Sequence, residues 1–596
     1  MASDDLRLKV MVVGDSISHG REGDWTWRYR IWEWFRQEKI SAAFVGPYKG
    51  TVPPDPPSPP RPPPLASEPA APGFLRTDGG YANGVSEDFL ANSRHFAVGG
   101  RQAAQAKDLV AEQVATYEPD LLLVQLGFND ISWGGSRPEQ LLASMKTLVD
   151  EARSARPDVK FAVANVPQRT YIPGFDDLPT RTDAYNASLA RAIPTWSTAG
   201  SPIALVHFRE NYSCGGHTSD AAYDGLHPNA LGEYQLAQAF SRTLVDAFPE
   251  HFGGRVELSI PAEIPARPTP TPDNVKAEAI PGGIAVTWDS VYGAFGYDIR
   301  TRLAIGFPIP WNTSSAGCNR YDTRWCLAGQ KWEYQVRTSG GDAVKSRWSG
   351  VVSAVAHPQT APGPRNVVTH ATATGYAIRW DPPLDEGHDY EVDRYGVLTH
   401  DRDIPGAFPC AVGVRETEAT IGGLIPGHHH NIAVETWTAA GGGVPAAARS
   451  VTVGAGTPPK PADVRAVAIS GNDNAVELSW TGHASAAGYR CFARNVDHPE
   501  DHHEWASEEI SESENNNSPD NEICSPSSTI RRRLTDLVPS VWEYEFAVTA
   551  YNGNDESEKS EWVVARRELS PSKGDVGPGL DEGDTLRIRL QYAPGL

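Results

Sequence analysis

Four short apolar runs, separated by segments of helical spacing, constrain the first 255 residues more than any other feature of the chain. Each run is continuously apolar rather than alternating, which is typical of strands buried on both faces of a parallel sheet. Helical spacing fills the intervals, as at 103–117, 138–155 and 230–240. The pattern predicts a three-layer α/β domain with strands at 8–13, 121–126, 160–166 and 203–208.

The composition of the chain changes after Pro261, where a stiff proline-rich linker begins. Three segments with common landmarks follow it. Short alternating strands with turn signals predict a β-sandwich for each segment. Each has a strand that ends in Trp and a next strand that bears Tyr: Trp288 and Tyr297, Trp380 and Tyr395, Trp480 and Tyr489.

These patterns predict an α/β domain at 1–258, a linker at 259–272, sandwiches at 273–358, 361–455 and 458–567, and a tail at 568–596. The alternating stretch 585–592 of the tail is a candidate edge strand. The proline-rich segment 53–64 is excluded from helices and inner strands. We interpret it as an inert surface loop; a ligand for a polyproline-binding partner is the alternative.

Charge and motif content exclude several classes of function. The formal net charge is −22, so nucleic acid or an anionic membrane surface would be repelled. No apolar run reaches the roughly 18 residues of a membrane span. No phosphate loop or dinucleotide fingerprint is present, so no cofactor is expected. The histidine clusters at 428–430 and 498–503 lack the spacing of structural zinc sites, so no metal is expected.

Six cysteines are few for 596 residues. Cys318 and Cys326 are close in sequence, and Cys491 and Cys524 share a later segment. Each couple is a candidate local disulfide, which would indicate an oxidising compartment; free thiols are the alternative.

A candidate nucleophile follows the first apolar run directly. Ser16 ends the tripeptide Gly14-Asp15-Ser16, on the turn where a buried strand stops and a hydrolase exposes its serine. His227 is the candidate base. Asp224, three residues earlier, can reach Nδ1 of the imidazole and fix its tautomer, which leaves Nε2 for Ser16.

Two other places in the sequence offer N–H donors that could stabilise an oxyanion, one at Asn129 and one at Gly99 or Gly100. Asn129 comes just after the 121–126 run and offers a side-chain N–H. A backbone N–H from Gly99 or Gly100 would complete the hole. A serine, an Asp/His pair and these donors predict a serine esterase.

These blocks resemble the SGNH (GDSL-type) hydrolase superfamily: GDS at 14–16, a glycine after an apolar residue at 99–100, GxND at 127–130 and DxxH at 224–227. The resemblance covers less than half of the chain and implies a flavodoxin-like parallel sheet. It also implies Ser16 as nucleophile and oxyanion donor, Gly100 and Asn129 as further donors, His227 as base and Asp224 as its partner.

The three later segments resemble fibronectin type III domains. Ser346-Arg347-Trp348-Ser349 near the end of the first is similar to a motif of that family. The second departs from it, because His430 stands where a corner tyrosine is expected. The resemblance implies spacers or weak binders of glycan or protein.

The segments around the nucleophile favour short acyl esters of carbohydrates. Residues 27–30 (WRYR) and 44–47 (FVGP) are similar to carbohydrate esterases that deacetylate xylan. Trp25, Trp27 and Trp133 are candidate platforms for sugar rings, with ordinary packing as the alternative. The expected substrate is therefore an acylated polysaccharide such as xylan, or a small ester, and the expected state is a monomer.

Two other functions remain open. One is a lipase or lysophospholipase that takes longer acyl chains. The other is a glycan-binding or adhesion protein in which the sandwiches do the work. An extracellular location is expected, because a hydrolase joined to such modules resembles secreted polysaccharide-degrading enzymes. A cytoplasmic location is the alternative, since no signal peptide is visible.

Overall fold

The computed structural model of the chain describes residues 7–66, 68, 75–172, 175–304, 309–384, 390–404, 407–469, 474–507, 529–539 and 541–567. The described residues belong to two compact units. One unit takes those within 1–368, 378–420 and 430–448, and the other takes those within 369–377, 421–429 and 449–596. The predicted boundaries between individual sandwiches remain predictions.

A six-stranded sheet forms the centre of the α/β domain, and its ladders are all parallel. The order is β2-β1-β4-β5-β6, with β3 paired to the end of β1. Residues 10–13 are completely buried, as expected of a strand covered on both faces. A small antiparallel pair, β7 and β8, lies outside this sheet. The strands are β1 Leu8–Gly14, β2 Ala42–Phe44, β3 Phe96–Ala97, β4 Leu121–Gln125, β5 Lys160–Ala164, β6 Ile203–Val206, β7 Cys214–Gly215 and β8 Thr218–Ser219.

Helices connect these strands and supply the outer layers. They are α1 Ser16–His19, α2 Trp27–Gln37, α3 Glu87–Asn92, α4 Ala103–Ala106, α5 Val110–Tyr117, α6 Phe128–Ile131, α7 Pro138–Ala155, α8 Leu178–Trp196, α9 Phe208–Asn211, α10 Ala230–Ala247 and α11 Pro249–Phe252. Helix α2 packs with α10, whereas α4, α5 and α8 pack with α7. The predicted three-layer α/β domain is therefore confirmed.

Two predicted helices differ in extent from the observed ones. The segment 103–117 is broken into α4 and α5 by the turns at Asp108 and Leu109. The predicted helix at 230–240 continues to Ala247, because its buried face extends to Leu244.

Antiparallel sheets follow, as predicted. The first sandwich has β9 Lys276–Ile280, β10 Gly283–Thr287, β11 Gly296–Leu303, β12 Asn312–Ala316, β13 Arg320–Thr323, β14 Lys331–Ser339 and β15 Val352–Val355. Its two sheets have the orders β13-β10-β9 and β12-β11-β14-β15.

The second sandwich has β16 Arg365–Thr372, β17 Gly375–Asp381, β18 Arg394–Asp401, β19 Cys410–Val414, β20 Glu418–Ile421, β21 His429–Thr438, β22 Gly441–Gly442, β23 Ala446–Ala447 and β24 Val451–Thr452. The third has β25 Ala462–Ala468, β26 Val476–Thr481, β27 Gly488–Asn495, β28 His502–Ser507, β29 Thr529–Leu534, β30 Tyr544–Asn552, β31 Asp555–Glu556, β32 Val563–Val564 and β33 Arg566–Arg567.

The Trp and Tyr landmarks of the three segments meet in the three cores. In each sandwich the indole and the phenol ring pack at an angle, with ring centroids 5.1 Å, 5.2 Å and 5.3 Å apart in chain order. All six rings are at least 95% buried. The repeated landmark is thus one aromatic contact used three times.

The expected disulfide between Cys318 and Cys326 is wrong, because both thiols are free. Cys326 is buried beside the end of β13, with Sγ 3.1 Å from the carbonyl oxygen of Thr323, the last residue of that strand. The Cys318 thiol faces the Arg320 carbonyl instead. Cys491 is also free, and its candidate partner Cys524 lies outside the described residues, as does the tail with its candidate strand at 585–592.

No helix within the described ranges has both the length and the apolar character needed to cross a membrane.

Trp27 offers a test of this fold. Its indole stacks on Phe240 at 4.6 Å and donates to Ser18 Oγ over 3.1 Å. Trp27→Ala should lower the free energy of unfolding by about 3–5 kcal/mol, because it removes a fully buried aromatic ring. Trp133→Ala is the control: this side chain is 60% exposed, so its loss should cost no more than about 0.5 kcal/mol.

The measurement is urea unfolding followed by circular dichroism at the helical wavelength. The helices of the described chain all lie between residues 16 and 252, so this signal reports on the α/β domain. Equal transition midpoints for the two variants would contradict the assignment of Trp27 to the core.

Candidate active site

The turn that carries the candidate nucleophile Ser16, which we call the nucleophile turn, begins where β1 ends. Asp15 caps α1 by accepting the Ile17 amide at 2.9 Å, and Ser16 is the first residue of that helix. Ser16 is half-buried between buried neighbours. Burial raises the pKa of Asp15 to about 7, even though the Ile17 amide and His227 favour its charged form. This buried carboxyl beneath the nucleophile is a feature that the sequence did not single out.

Arg28 holds the segment after the nucleophile. Its guanidinium is 1% exposed, and it donates to the carbonyls of Ser18 and His19 at 2.8 Å and 3.1 Å. The same group donates to Gly50 at 2.9 Å and to Ser93 at 3.2 Å. One side chain thus joins the nucleophile turn to two distant loops.

Ser16, His227 and Asp224 form one chain of hydrogen bonds. The His227 Nε2 atom lies 2.9 Å from Ser16 Oγ, and Nδ1 lies 2.8 Å from Asp224 Oδ2. The other oxygen of Asp224 accepts the amides of His227 and Leu226 at 2.9 Å and 3.2 Å. Burial would raise the pKa of Asp224, but the hydrogen bonds and charge of His227 outweigh it and lower the pKa to about 2.

Gly225 allows the turn between Asp224 and His227. Its φ is 73°, and a Cβ there would lie 1.8 Å from Thr170 Oγ1. Both the left-handed backbone and the lack of space require glycine. The spacing of the Asp/His pair therefore depends on a long-range contact with residue 170.

The choice between Gly99 and Gly100, left open by the sequence, follows from two contacts. The Gly99 N–H donates to His19 Nδ1 over 3.3 Å, whereas Gly100 lines the cavity above Ser16. Gly100 has φ 77°, and a Cβ there would meet no atom within 4 Å. Gly100 is thus the glycine whose backbone faces open space at the site.

Asn129 and Asp130 bind this glycine loop to the end of β4. The Asn129 amide donates one N–H to the Arg101 carbonyl at 3.2 Å, which leaves its second N–H available. The Asp130 carboxyl accepts the amides of Ala103 and Ala104 at 2.8 Å and 3.0 Å. The GxND block therefore positions the loop that carries Gly100.

These side chains line a cavity of about 390 Å³. Its walls are Ser16, Gly100, Asn129, Trp133, Arg169, Asp224, Leu226 and His227. Leu226 and Arg169 are the wall residues that the sequence did not indicate, and Arg169 is the charged one of the two. Burial lowers its pKa, although Asp224, Cys214 and Asp342 favour its charge.

Of the three candidate tryptophans, only Trp133 lies at this cavity. Its ring is largely exposed and meets the Phe175 ring edge-on at 5.5 Å. The expectation for Trp27 is wrong, because that side chain is completely buried. Trp25 is also misassigned: it packs against the core, with Arg30 4.4 Å over its ring.

The first sandwich and the linker support the segment that carries Asp224. The Tyr223 ring stacks on Phe295 at 4.9 Å, and its carbonyl accepts the Asp342 amide at 2.6 Å. Arg267 of the linker donates to the Tyr223 hydroxyl at 3.0 Å and forms a buried ion pair with Asp24. A residue in the predicted linker is therefore part of the packing behind the site.

A family model matches most of the α/β domain. Residues 65–234 match the model of the GDSL-like Lipase/Acylhydrolase family. The match includes Gly100, Asn129, Asp224 and His227, and it begins after Ser16. It confirms the resemblance to GDSL-type hydrolases and the expected class of a carboxylic ester hydrolase.

Similar solved structures include a carbohydrate esterase family 3 protein from Talaromyces cellulolyticus, which is 22% identical and covers 40% of this chain and 97% of that one, with a TM-score of 0.30. A family 3 carbohydrate esterase of Clostridium thermocellum is 19% identical, covers 40% of this chain and 96% of that one, and has a TM-score of 0.29. The FN1–FN3 domains of chicken CNTN1 are 16% identical, cover 50% of this chain and 98% of that one, and have a TM-score of 0.16. Likenesses at this level carry no argument about function.

Receptor-type tyrosine-protein phosphatase F of Homo sapiens is 30% identical over 242 residues, which is 38% of this chain and 12% of the relative. The Rattus norvegicus protein gives the same values. The chain thus spans 12% of the length of these relatives.

His19 makes the site sensitive to acid. Burial, with Arg28 and Arg101 nearby, lowers the pKa of His19 from 6.5 to about 3. Between these pH values the unfolded chain binds a proton that the folded chain excludes, so stability should fall as the pH drops. The loss in the free energy of unfolding should approach about 1.4 kcal/mol for each pH unit below the pKa of His19 in the unfolded chain.

His19→Asn should reduce this dependence, because an amide oxygen can still accept the Gly99 N–H without titrating; His95, whose pKa burial also lowers, should keep the remainder. The check is the free energy of unfolding in urea at intervals from pH 7 to pH 4. The same substitution at His207, whose side chain is 60% exposed, serves as the control and should keep the wild-type slope. Equal slopes for both variants would contradict the buried, neutral state of His19.

Proposed function

We propose that the α/β domain hydrolyses carboxylic esters through an acyl-enzyme formed on Ser16. The observation that carries this proposal is the continuous Asp224–His227–Ser16 chain of hydrogen bonds on the wall of an open cavity. A serine becomes a nucleophile when an oriented imidazole takes its proton, and the third group keeps that imidazole in the required tautomer.

The reaction has two steps. Ser16 Oγ bonds to the ester carbonyl carbon while its proton passes to His227 Nε2. The negative charge on the carbonyl oxygen is stabilised by the backbone N–H groups of Ser16 and Gly100 and by the second N–H of Asn129. The tetrahedral species then expels the alcohol, which leaves with the proton from His227.

Water completes the cycle. His227 accepts a proton from the water as its oxygen attacks the acyl carbon on Ser16. The C–O bond to Ser16 breaks, Oγ recovers a proton from His227, and the carboxylic acid departs. Asp224 remains ionised throughout, since its pKa is about 2.

Substitution of the proposed groups gives graded losses. Ser16→Ala should lower kcat on p-nitrophenyl acetate by about 10⁴-fold or more, since no covalent route remains. Asn129→Ala should lower kcat by about 10²–10³-fold, with a smaller change in KM, because the amide acts on the developing oxyanion.

A fluorophosphonate probe separates loss of the nucleophile from loss of fold. Intact-mass analysis should find one adduct on the wild type and none on Ser16→Ala. Ser213→Ala, at an exposed serine outside the cavity wall, is the control and should carry one adduct. Undiminished turnover by Ser16→Ala, or labelling of that variant, would refute the proposed mechanism.

For the substrate we propose short acyl groups, acetyl above all, on a polysaccharide such as xylan. Three features support this. Five of the eight wall residues carry polar side chains, Trp133 presents an exposed ring beside the cavity, and Arg169 offers guanidinium N–H groups to hydroxyls. Among the wall residues, Trp133 and Leu226 are the two with large apolar side chains, so a long alkyl chain would find few apolar partners here. An extracellular location belongs to the same proposal, because a hydrolase joined to fibronectin type III-like modules resembles secreted polysaccharide-degrading enzymes.

A chain-length series on p-nitrophenyl esters, run beside acetylated xylan, tests this substrate. Acetate should be preferred; a preference for long chains would instead favour the lipase alternative. Arg169→Met and Trp133→Ala should raise KM for acetylated xylan roughly tenfold, equivalent to about 1.4 kcal/mol, because these side chains contact the sugar rather than the acyl group. KM for p-nitrophenyl acetate should change little; equal effects on both substrates would argue against the proposed contacts.

A further inference from the structure

An edge strand of the second sandwich binds the proline-rich insertion of the α/β domain. Strand β19 lies at the end of the order β19-β18-β21-β22. Its residue Gly413 donates its N–H to the Pro64 carbonyl at 2.9 Å and forms a parallel bridge with Leu65. The insertion thus meets an edge that would otherwise present free backbone donors.

A buried arginine on the neighbouring strand completes the contact. Arg394, at the start of β18, donates to the Pro63 carbonyl at 3.1 Å and pairs with Glu68 at 2.9 Å. Its side chain is 9% exposed and is held from the other side by Asp393 at 2.6 Å. The guanidinium therefore binds both a proline carbonyl and an acidic residue that follows the prolines.

Two glycines make room for the segment. Gly396 and Gly413 face each other across β18 and β19. A Cβ at Gly413 would lie 2.3 Å from the Pro63 carbonyl oxygen, and one at Gly396 would lie 2.9 Å from the Glu435 side chain and 3.0 Å from Pro63 Cγ. Neither residue has a positive φ, so close approach accounts for glycine here: by the prolines alone at Gly413, and by Glu435 together with Pro63 at Gly396.

The chemistry suits a proline-rich ligand. Proline has no N–H, so its carbonyls are the backbone groups through which such a segment can bind. A polyproline helix presents those carbonyls without internal hydrogen bonds and loses little entropy when it docks. We call Arg394, Gly396 and Gly413 the proline clasp.

We propose that the proline clasp is a binding site for a proline-rich segment followed by an acidic residue, and that Pro63, Pro64 and Glu68 of this chain occupy it in cis. The insertion is then a tether between two domains and not the inert loop that its composition suggests. Its base lies next to the nucleophile turn, where the Val52 amide donates to the Gly20 carbonyl at 3.0 Å.

Two double substitutions with the same composition test the tether. Pro63→Gly/Pro64→Gly alters the residues that touch the clasp, whereas Pro59→Gly/Pro60→Gly alters the exposed stretch before them. Hydrogen–deuterium exchange of the full chain, read by mass spectrometry on fragments that cover β19, is the measurement. Fragments from the centre of β14 are the internal reference for an unaffected sandwich.

Exchange within β19 should be roughly tenfold faster in the Pro63/Pro64 variant, because the flexible glycines no longer hold the edge hydrogen bond. The Pro59/Pro60 variant should match the wild type. Equal exchange of β19 in all three proteins would overturn the proposal, as would equal acceleration in both variants.

Binding in trans tests recognition itself. A synthetic peptide of residues 57–68, added at millimolar concentration to the Pro63/Pro64 variant, should restore slow exchange of β19. The same peptide with Glu68→Gln should bind several-fold more weakly, since it loses the ion pair with Arg394. No protection by either peptide, or equal protection by both, would overturn the assigned specificity. Esterase activity plays no part in these readouts, so the result stands apart from the proposed function.

Discussion

The buried guanidinium of Arg28 is the contact on which the arrangement of the α/β domain most depends. A charge without water is costly unless its N–H groups are bonded, and here they reach four carbonyls in three separate segments. Ser18 and His19 follow the nucleophile, Gly50 lies at the base of the insertion, and Ser93 precedes β3. The nucleophile turn, the insertion and the approach to the glycine loop are thus held by one side chain.

The all-β half of the chain contributes to the same centre. Arg267 and Phe295 both contact Tyr223, the residue before Asp224, so the linker and the first sandwich support the segment that carries Asp224. The proline-rich insertion makes a second connection, from beside the nucleophile turn to the edge of β19. A hydrolase followed by spacers would need neither contact. The linker, the first sandwich and strand β19 belong to the same compact unit as the α/β domain and contact it directly.

Much of the fold was predictable because its signals are local. Continuous apolar runs indicated the parallel strands, and a recurring Trp and Tyr indicated three sandwiches whose cores repeat one aromatic contact. Errors arose where the outcome depends on direction in space. Trp27 is close in sequence to Ser16, yet its side chain points into the core against Phe240. Cys318 and Cys326 are close in sequence, yet their thiols face different carbonyls.

The sequence by itself determined the order and spacing of the candidate site: a serine after the first strand, Asn129 after a later one, and Asp224 three residues before His227. Such features are readable because the residues at strand ends of a parallel sheet gather at one edge. Only the tertiary structure decided that Gly100 rather than Gly99 faces the cavity, that Arg169 joins its wall, and that Arg267 supports it from behind. Each of these depends on a partner far away along the chain, and no local pattern records how two distant segments meet.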